Sequence, residues 1–162
     1  MKYMLAVSVW CFSVLAGLWM RRRLRARWKT LAALATFFET IRLRMEYAAL
    51  PLLPLLEENA GDLTFLTRCC AAVRAGESFS AAWSAAIRET TLPLDKDARD
   101  DLCALGALLG TTDLNGQLQI LHRAGRTMED LAQRARSRYE KYAPVCNGCG
   151  IFAGFALFVF MT

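Results

Sequence analysis

Residues 2–29 read KYMLAVSVWCFSVLAGLWMRRRLRARWK, and the order of the two halves matters more than either half alone. Between Lys2 and Arg21 lie 18 uncharged residues, Tyr3 to Met20; six positive charges follow at Arg21, Arg22, Arg23, Arg25, Arg27 and Lys29. At about 1.5 Å per residue, a helix of that length reaches across most of the roughly 30 Å of hydrocarbon in a bilayer. A cleaved signal peptide is the competing reading, with Val14 and Ala16 as its small residues. In a signal peptide, however, the positive block precedes the apolar run; here it follows and opposes translocation of what comes next. The stretch 3–20 is therefore expected to be an uncleaved transmembrane helix.

The other end mirrors this one. Arg134, Arg136, Arg138 and Lys141, with Glu140 among them, precede 21 uncharged residues, Tyr142 to Thr162, whose apolar character is densest from Ile151 onward. A second transmembrane helix is expected over 142–162. Both basic flanks belong to the segment 21–141, which places that segment in the cytosol and the two termini outside. Within the second span, Gly150 and Gly154 form a small-xxx-small pair that permits close helix approach, toward the first span or toward another copy in a homo-oligomer.

The chain has 162 residues, 55% hydrophobic and 22% charged, with a mean hydropathy of +0.24. That is one domain with appended segments, and too apolar for a disordered chain. The net charge of +5 suggests an anionic partner until it is located. Residues 30–132 hold nine basic and fourteen acidic residues. The basicity is a pair of membrane-proximal collars around an acidic head, so nucleic acid is not an expected partner, whereas anionic lipid headgroups suit the collars.

Between the collars the pattern is helical throughout. Leu24, Trp28, Leu31, Ala35, Phe38, Ile41 and Met45 recur in steps of three and four, one face of a long helix continuous with the first span. Pro51 and Pro54 interrupt it. A short helix then runs to Ala60, and Gly61 with Asp62 marks a C-cap and N-cap opening a helix through Arg74. Gly76 and Ser78 punctuate before Phe79–Glu89; Pro93 and Asp95 introduce a helix to Leu109. The last cytosolic helix begins near Thr112 and carries Leu114, Leu118, Leu121, Ala124, Met128, Leu131, Ala135 and Tyr139 on one face, with Gly116 and Gly125 as possible interruptions. The fold class is all-α: a cytosolic bundle of five to six helices between two transmembrane helices. Its first and last helices, both leading into the membrane, are expected to pack as neighbours.

Catalytic chemistry is sparse. His122, the single histidine, has no partners gathered around it and reads as a helix-surface imidazole. Cys11, Cys69, Cys70 and Cys103 read as small apolar packing residues. Cys146 and Cys149 have redox or zinc spacing. No second pair completes four zinc ligands, and the mouth of a membrane span is an unusual place for a redox pair, so helix packing is the favoured reading. A membrane-bound thiol enzyme using these two cysteines is the alternative. No catalytic, cofactor-binding or metal-binding residue is expected.

The most patterned stretch is Leu105-Gly106-Ala107-Leu108-Leu109-Gly110-Thr111-Thr112-Asp113, with Gln117 one turn later. Gly110 suits a left-handed residue ending one helix, and Thr112 a hydroxyl cap starting the next. Asp113 favours that helix's positive end, Gln117 lies within its reach, and Gly106 leaves room for another helix. This arrangement resembles the stage III sporulation protein AB family of endospore-forming bacteria, whose motif reads approximately Leu-Gly-x-x-Leu-Gly-x-Ser-Asp-x-x-x-Gln. Leu105, Gly106, Leu109, Gly110, Asp113 and Gln117 match, and Thr112 stands for the serine. Glu46-Tyr47 leading to Pro51-Leu52 is similar to a second family region, from which it departs in the spacing of the acid and in Leu50 replacing a threonine. Ser80-Ala81-Ala82-Trp83 resembles a third.

That family looks related to the inner-membrane platform protein of type II secretion and type IV pilus machines. The resemblance implies a non-enzymatic scaffold of a secretion-like channel between mother cell and forespore. It places the chain in the bacterial cell membrane on the mother-cell side, with its head facing a secretion-type ATPase and other channel subunits beside it. A platform component of a pilus or general secretion system is the alternative within this class; those platforms carry two copies of the helical domain, and this chain has room for one.

Overall fold

Apolar side chains at steps of three and four, with proline or glycine between the runs, fold into helices joined by short turns. The computed structural model of the protein describes residues 2–48, 52–61, 63–109 and 112–161, with the side chains of 11–12, 14–47, 52–61, 63–109 and 112–142. Regular structure among the described residues is helical throughout, in six helices: α1 (Lys2–Ala48), α2 (Leu52–Glu58), α3 (Thr64–Arg74), α4 (Phe79–Glu89), α5 (Lys96–Leu108) and α6 (Leu114–Met161).

The terminal helices are unbroken over 47 and 48 residues, and neither Gly116 nor Gly125 interrupts α6. The backbone is thus helical through both uncharged stretches. Among the described residues no helix is long and apolar enough to cross a membrane. The side chains of residues 3–10 and 143–162, including Cys146, Cys149, Gly150 and Gly154, lie outside the described set.

The chain forms two compact units, Lys29–Ala132 and Met1–Trp28 with Gln133–Thr162. In the second unit, the Trp28 and Tyr139 rings stack with centroids 6.3 Å apart and 15° between planes. In the first, Gly125 of α6 is buried where an added Cβ would stand 3.7 Å from Phe38 Cβ and 3.9 Å from the Ala35 carbonyl oxygen of α1. The helices that begin and end the chain are therefore neighbours, as their apolar stripes require.

In the unit Lys29–Ala132, α1 buries Leu31, Leu34, Phe38, Ile41 and Met45, while α6 buries Leu121, Ala124 and Met128. Leu114 departs from the expected stripe: it is the first residue of α6, at the end of a turn, and remains 49% exposed. No polar or charged residue among those described is buried, so the core is held by apolar burial, at about 1.5–3 kcal/mol for each fully buried large side chain. The ion pairs, such as Arg42 with Glu39 and Glu46 and Arg44 with Glu58, are on the surface and worth at most about 1 kcal/mol each.

The turns follow local chemistry. Pro54 falls in the first turn of α2, where its missing N–H would have had no helical acceptor. Helix α3 ends in a Schellman motif: the N–H of Gly76 donates to Val73 and that of Glu77 to Ala72, with Gly76 at φ +100. Ser78 then caps α4 by accepting from the Ala81 N–H at 3.4 Å. Gly61 also adopts positive φ, but the N-cap of α3 is Leu63, without a side-chain cap, and Asp62 is outside the described residues.

Candidate functional site

Two of the family-like segments meet in space. Trp83 of α4 is fully buried and lies across Gly106 of α5. A Cβ at position 106 would overlap Trp83 Cδ1 and stand 2.5 Å from Cγ and 2.9 Å from Nε1. The indole N–H donates to the Leu102 carbonyl at 2.7 Å, one turn before Gly106. Phe65 of α3 packs edge-on against the indole at 5.4 Å, and Phe79 lies 5.5 Å away on its own helix. The glycine lets a flat aromatic side chain reach the α5 backbone, and the hydrogen bond satisfies the one polar atom the indole brings inside. Gly106, expected to leave room for another helix, here leaves room for the Trp83 side chain.

The corner after α5 differs from the expected arrangement in one respect. Helix α5 ends at Leu108; Leu109 is buried, has extended φ and ψ of −68 and 128, and donates its N–H to the Leu105 carbonyl. The expected hydroxyl cap at Thr112 is replaced by Asp113, whose Oδ1 accepts from the Gly116 N–H at 3.2 Å. Thr112 instead offers its carbonyl, which accepts from Gln117 Nε2 at 3.1 Å. The carboxylate wins because it stands at N-cap, directly before Leu114, where it reaches the third helical N–H and also meets the positive helix end. Gly110 and Pro51 lie outside the described residues. Tyr47 is 83% exposed on α1 and does not line the groove described next.

Alongside this corner an open groove of about 440 Å³ runs between α5 and α6. Leu105, Leu108, Ile120 and Met128 give it an apolar floor, and Asp101, Gln119 and Arg123 bring polar groups to its edge. Leu108 is 52% exposed, a large apolar side chain presented to the surface. Of the described motif residues, Leu105 lines the groove; Gly106 meets Trp83 of α4, and Asp113 and Gln117 bond within the turn that opens α6. Leu108, Ile120 and Arg123 were not singled out from sequence. The spacing Asp101–Leu105–Leu108 was the available signal, but one face of α5 could equally have met the core.

The titratable groups are those of a packed bundle. Burial pushes the Cys69 thiol up to about 12 from its ordinary 9.0. Burial also raises Cys70, with Glu57 adding to it, and raises Cys103. These thiols are held protonated, in keeping with a packing role. Glu39 is lowered, first by its hydrogen bond from Arg42. His122 is exposed, and among the described residues no three His, Cys, Asp or Glu lie together as a metal site.

These features define a class: an all-α protein with a tryptophan-on-glycine brace and an apolar surface groove beside it, framed by two long helices. The chain belongs to the stage III sporulation protein AB family, whose pattern it matches over residues 2–162, and this ties it to sporulation. Neither the curated proteins nor the solved structures contain a significant match.

Proposed function

We propose that the protein is a non-enzymatic, membrane-anchored scaffold of a secretion-like channel complex between mother cell and forespore. Its helical unit faces the cytosol and docks a secretion-type ATPase. The observation that carries the docking is the open α5–α6 groove, an apolar floor of exposed Leu108 and half-buried Leu105 and Ile120 with Asp101 and Arg123 at its edge. Apolar anchors within a polar rim are the arrangement by which protein partners are held. Of the two helices that form the groove, α5 is tied to α4 by Trp83 on Gly106, and α6 is started by the Asp113 cap.

Membrane anchoring is supported by continuous helical backbone through two uncharged stretches, each bordered by arginines on its head side. The test pairs the detergent-solubilised full chain with a candidate secretion-type ATPase. Leu108→Asp and Ile120→Asp are expected to abolish co-purification while leaving helicity and melting temperature within the wild-type range. Retained binding by both folded variants overturns the groove as the docking surface. Reporter fusions at either terminus that report the cytosol overturn the topology.

A further inference from the structure

The unit formed by Met1–Trp28 and Gln133–Thr162 contains ten basic side chains and one acidic one, Glu140. Glu140 is already engaged, its Oε1 accepting from Arg136 Nε at 2.8 Å. Arg22, Arg23 and Arg25 on α1 and Arg134 and Arg138 on α6 stand exposed. The Trp28–Tyr139 stack sets the basic stretch of α1 beside that of α6, so charges more than 100 residues apart in sequence stand on neighbouring helices. A surface this cationic, with one carboxylate of its own, calls for an external anion.

Which anion follows from the neighbouring side chains. Immediately before the arginines, α1 exposes Phe12, Leu15, Leu18, Trp19 and Met20, between 46% and 76%. At the junction the cations pair with rings: Arg23 lies 5.4 Å from the Trp19 ring, Arg136 5.8 Å from Trp28 and Lys141 5.7 Å from Tyr142. Apolar surface, then aromatic rings, then guanidinium groups is the order of a bilayer leaflet read outward: acyl chains, interface, phosphate. A nucleic acid offers phosphate but no acyl chain to cover the apolar side chains.

We propose that this two-helix collar is a binding site for the headgroups of anionic phospholipids, with their phosphodiesters on Arg22, Arg25 and Arg138 and their acyl chains along Leu15, Leu18 and Trp19. The site goes beyond anchoring, because it selects lipid by charge; it rests on the membrane reading above.

The test is native mass spectrometry of the full chain released from micelles holding equal amounts of phosphatidylglycerol and phosphatidylcholine. The wild type is expected to retain phosphatidylglycerol preferentially. That preference should fall about fivefold for each arginine removed, hence about a hundredfold in R22Q/R25Q/R138Q. The charge-preserving R22K/R25K/R138K keeps the preference, which separates lost charge from lost fold. Equal retention of the two lipids by the wild type, or an unchanged preference in a folded glutamine variant, overturns the site. So does displacement of phosphatidylglycerol by millimolar inorganic phosphate or by a single-stranded oligonucleotide, which would assign the collar to free anions or to nucleic acid. Alkaline washing of membranes separates this failure from that of the membrane reading: a chain released without detergent is not anchored, whereas one that stays and ignores headgroup charge loses only the lipid site.

Discussion

Replacing Gly106 by alanine sets two rules of helix stability against each other. By propensity alone, alanine within α5 should stabilise the helix by about 1 kcal/mol. The structure predicts the opposite sign, since the new methyl overlaps Trp83 Cδ1 and stands 2.5 Å from Cγ. The indole has little room to retreat: it is fully buried, between Phe65 and Phe79, and tied to the Leu102 carbonyl at 2.7 Å. Overpacking costs about 1–3 kcal/mol, and a buried indole N–H stripped of its acceptor a further 1–3 or so. Against the propensity gain, the net is a destabilisation of about 1–5 kcal/mol, a fall in melting temperature on the order of 10 °C. The assay is thermal unfolding of the full chain in detergent, followed by circular dichroism at 222 nm and, for tryptophan asymmetry, near 290 nm. With Trp83→Leu already in place, the alanine should become neutral or stabilising, because the clash partner is gone. A melting temperature that rises in Gly106→Ala alone would refute the brace.

Gly125 offers the contrasting case. Its hypothetical Cβ meets Phe38 and α1 backbone at 3.7 Å and beyond, so Gly125→Ala should be tolerated and stabilising by up to about 1 kcal/mol, while Gly125→Leu overpacks against α1 and destabilises by about 1–3 kcal/mol, both read as melting shifts. Asp113→Ala should cost about 1 kcal/mol through loss of the α6 cap, with Asp113→Asn recovering most of it. The buried thiols give a pH dependence. Cys69 has a raised folded-state value, so its contribution is complete below the ordinary thiol value of 9.0 and is lost as pH rises toward about 12. Cys69→Ser or Cys69→Ala should flatten that alkaline limb in a stability profile, and the native thiol should resist alkylation at pH 8 until the protein unfolds.

Segment boundaries were legible because they depend on neighbours in the chain. Proline at 54, glycine at 61 and 76 and serine at 78 act on the backbone within a turn, and α4 runs from Phe79 to Glu89 as its punctuation implies. The stripe on α1 was legible for a similar reason, since burial repeats with the helical period. The cap of α6 was harder. Thr112 and Asp113 are adjacent, both suit an N-cap, and only the position of the first helical residue chooses between them.

Charge order along the chain is likewise a property of sequence, and it separates an acidic head from its basic borders. Contacts between distant segments are not of that kind. That Gly106 accommodates Trp83, 23 positions earlier, depends on how α4 crosses α5. That Leu105 and Leu108 line an open groove while Leu102 and Leu109 are buried depends on where α6 lies. A helical period states that one face is apolar; which part of that face another helix covers is settled by packing in three dimensions.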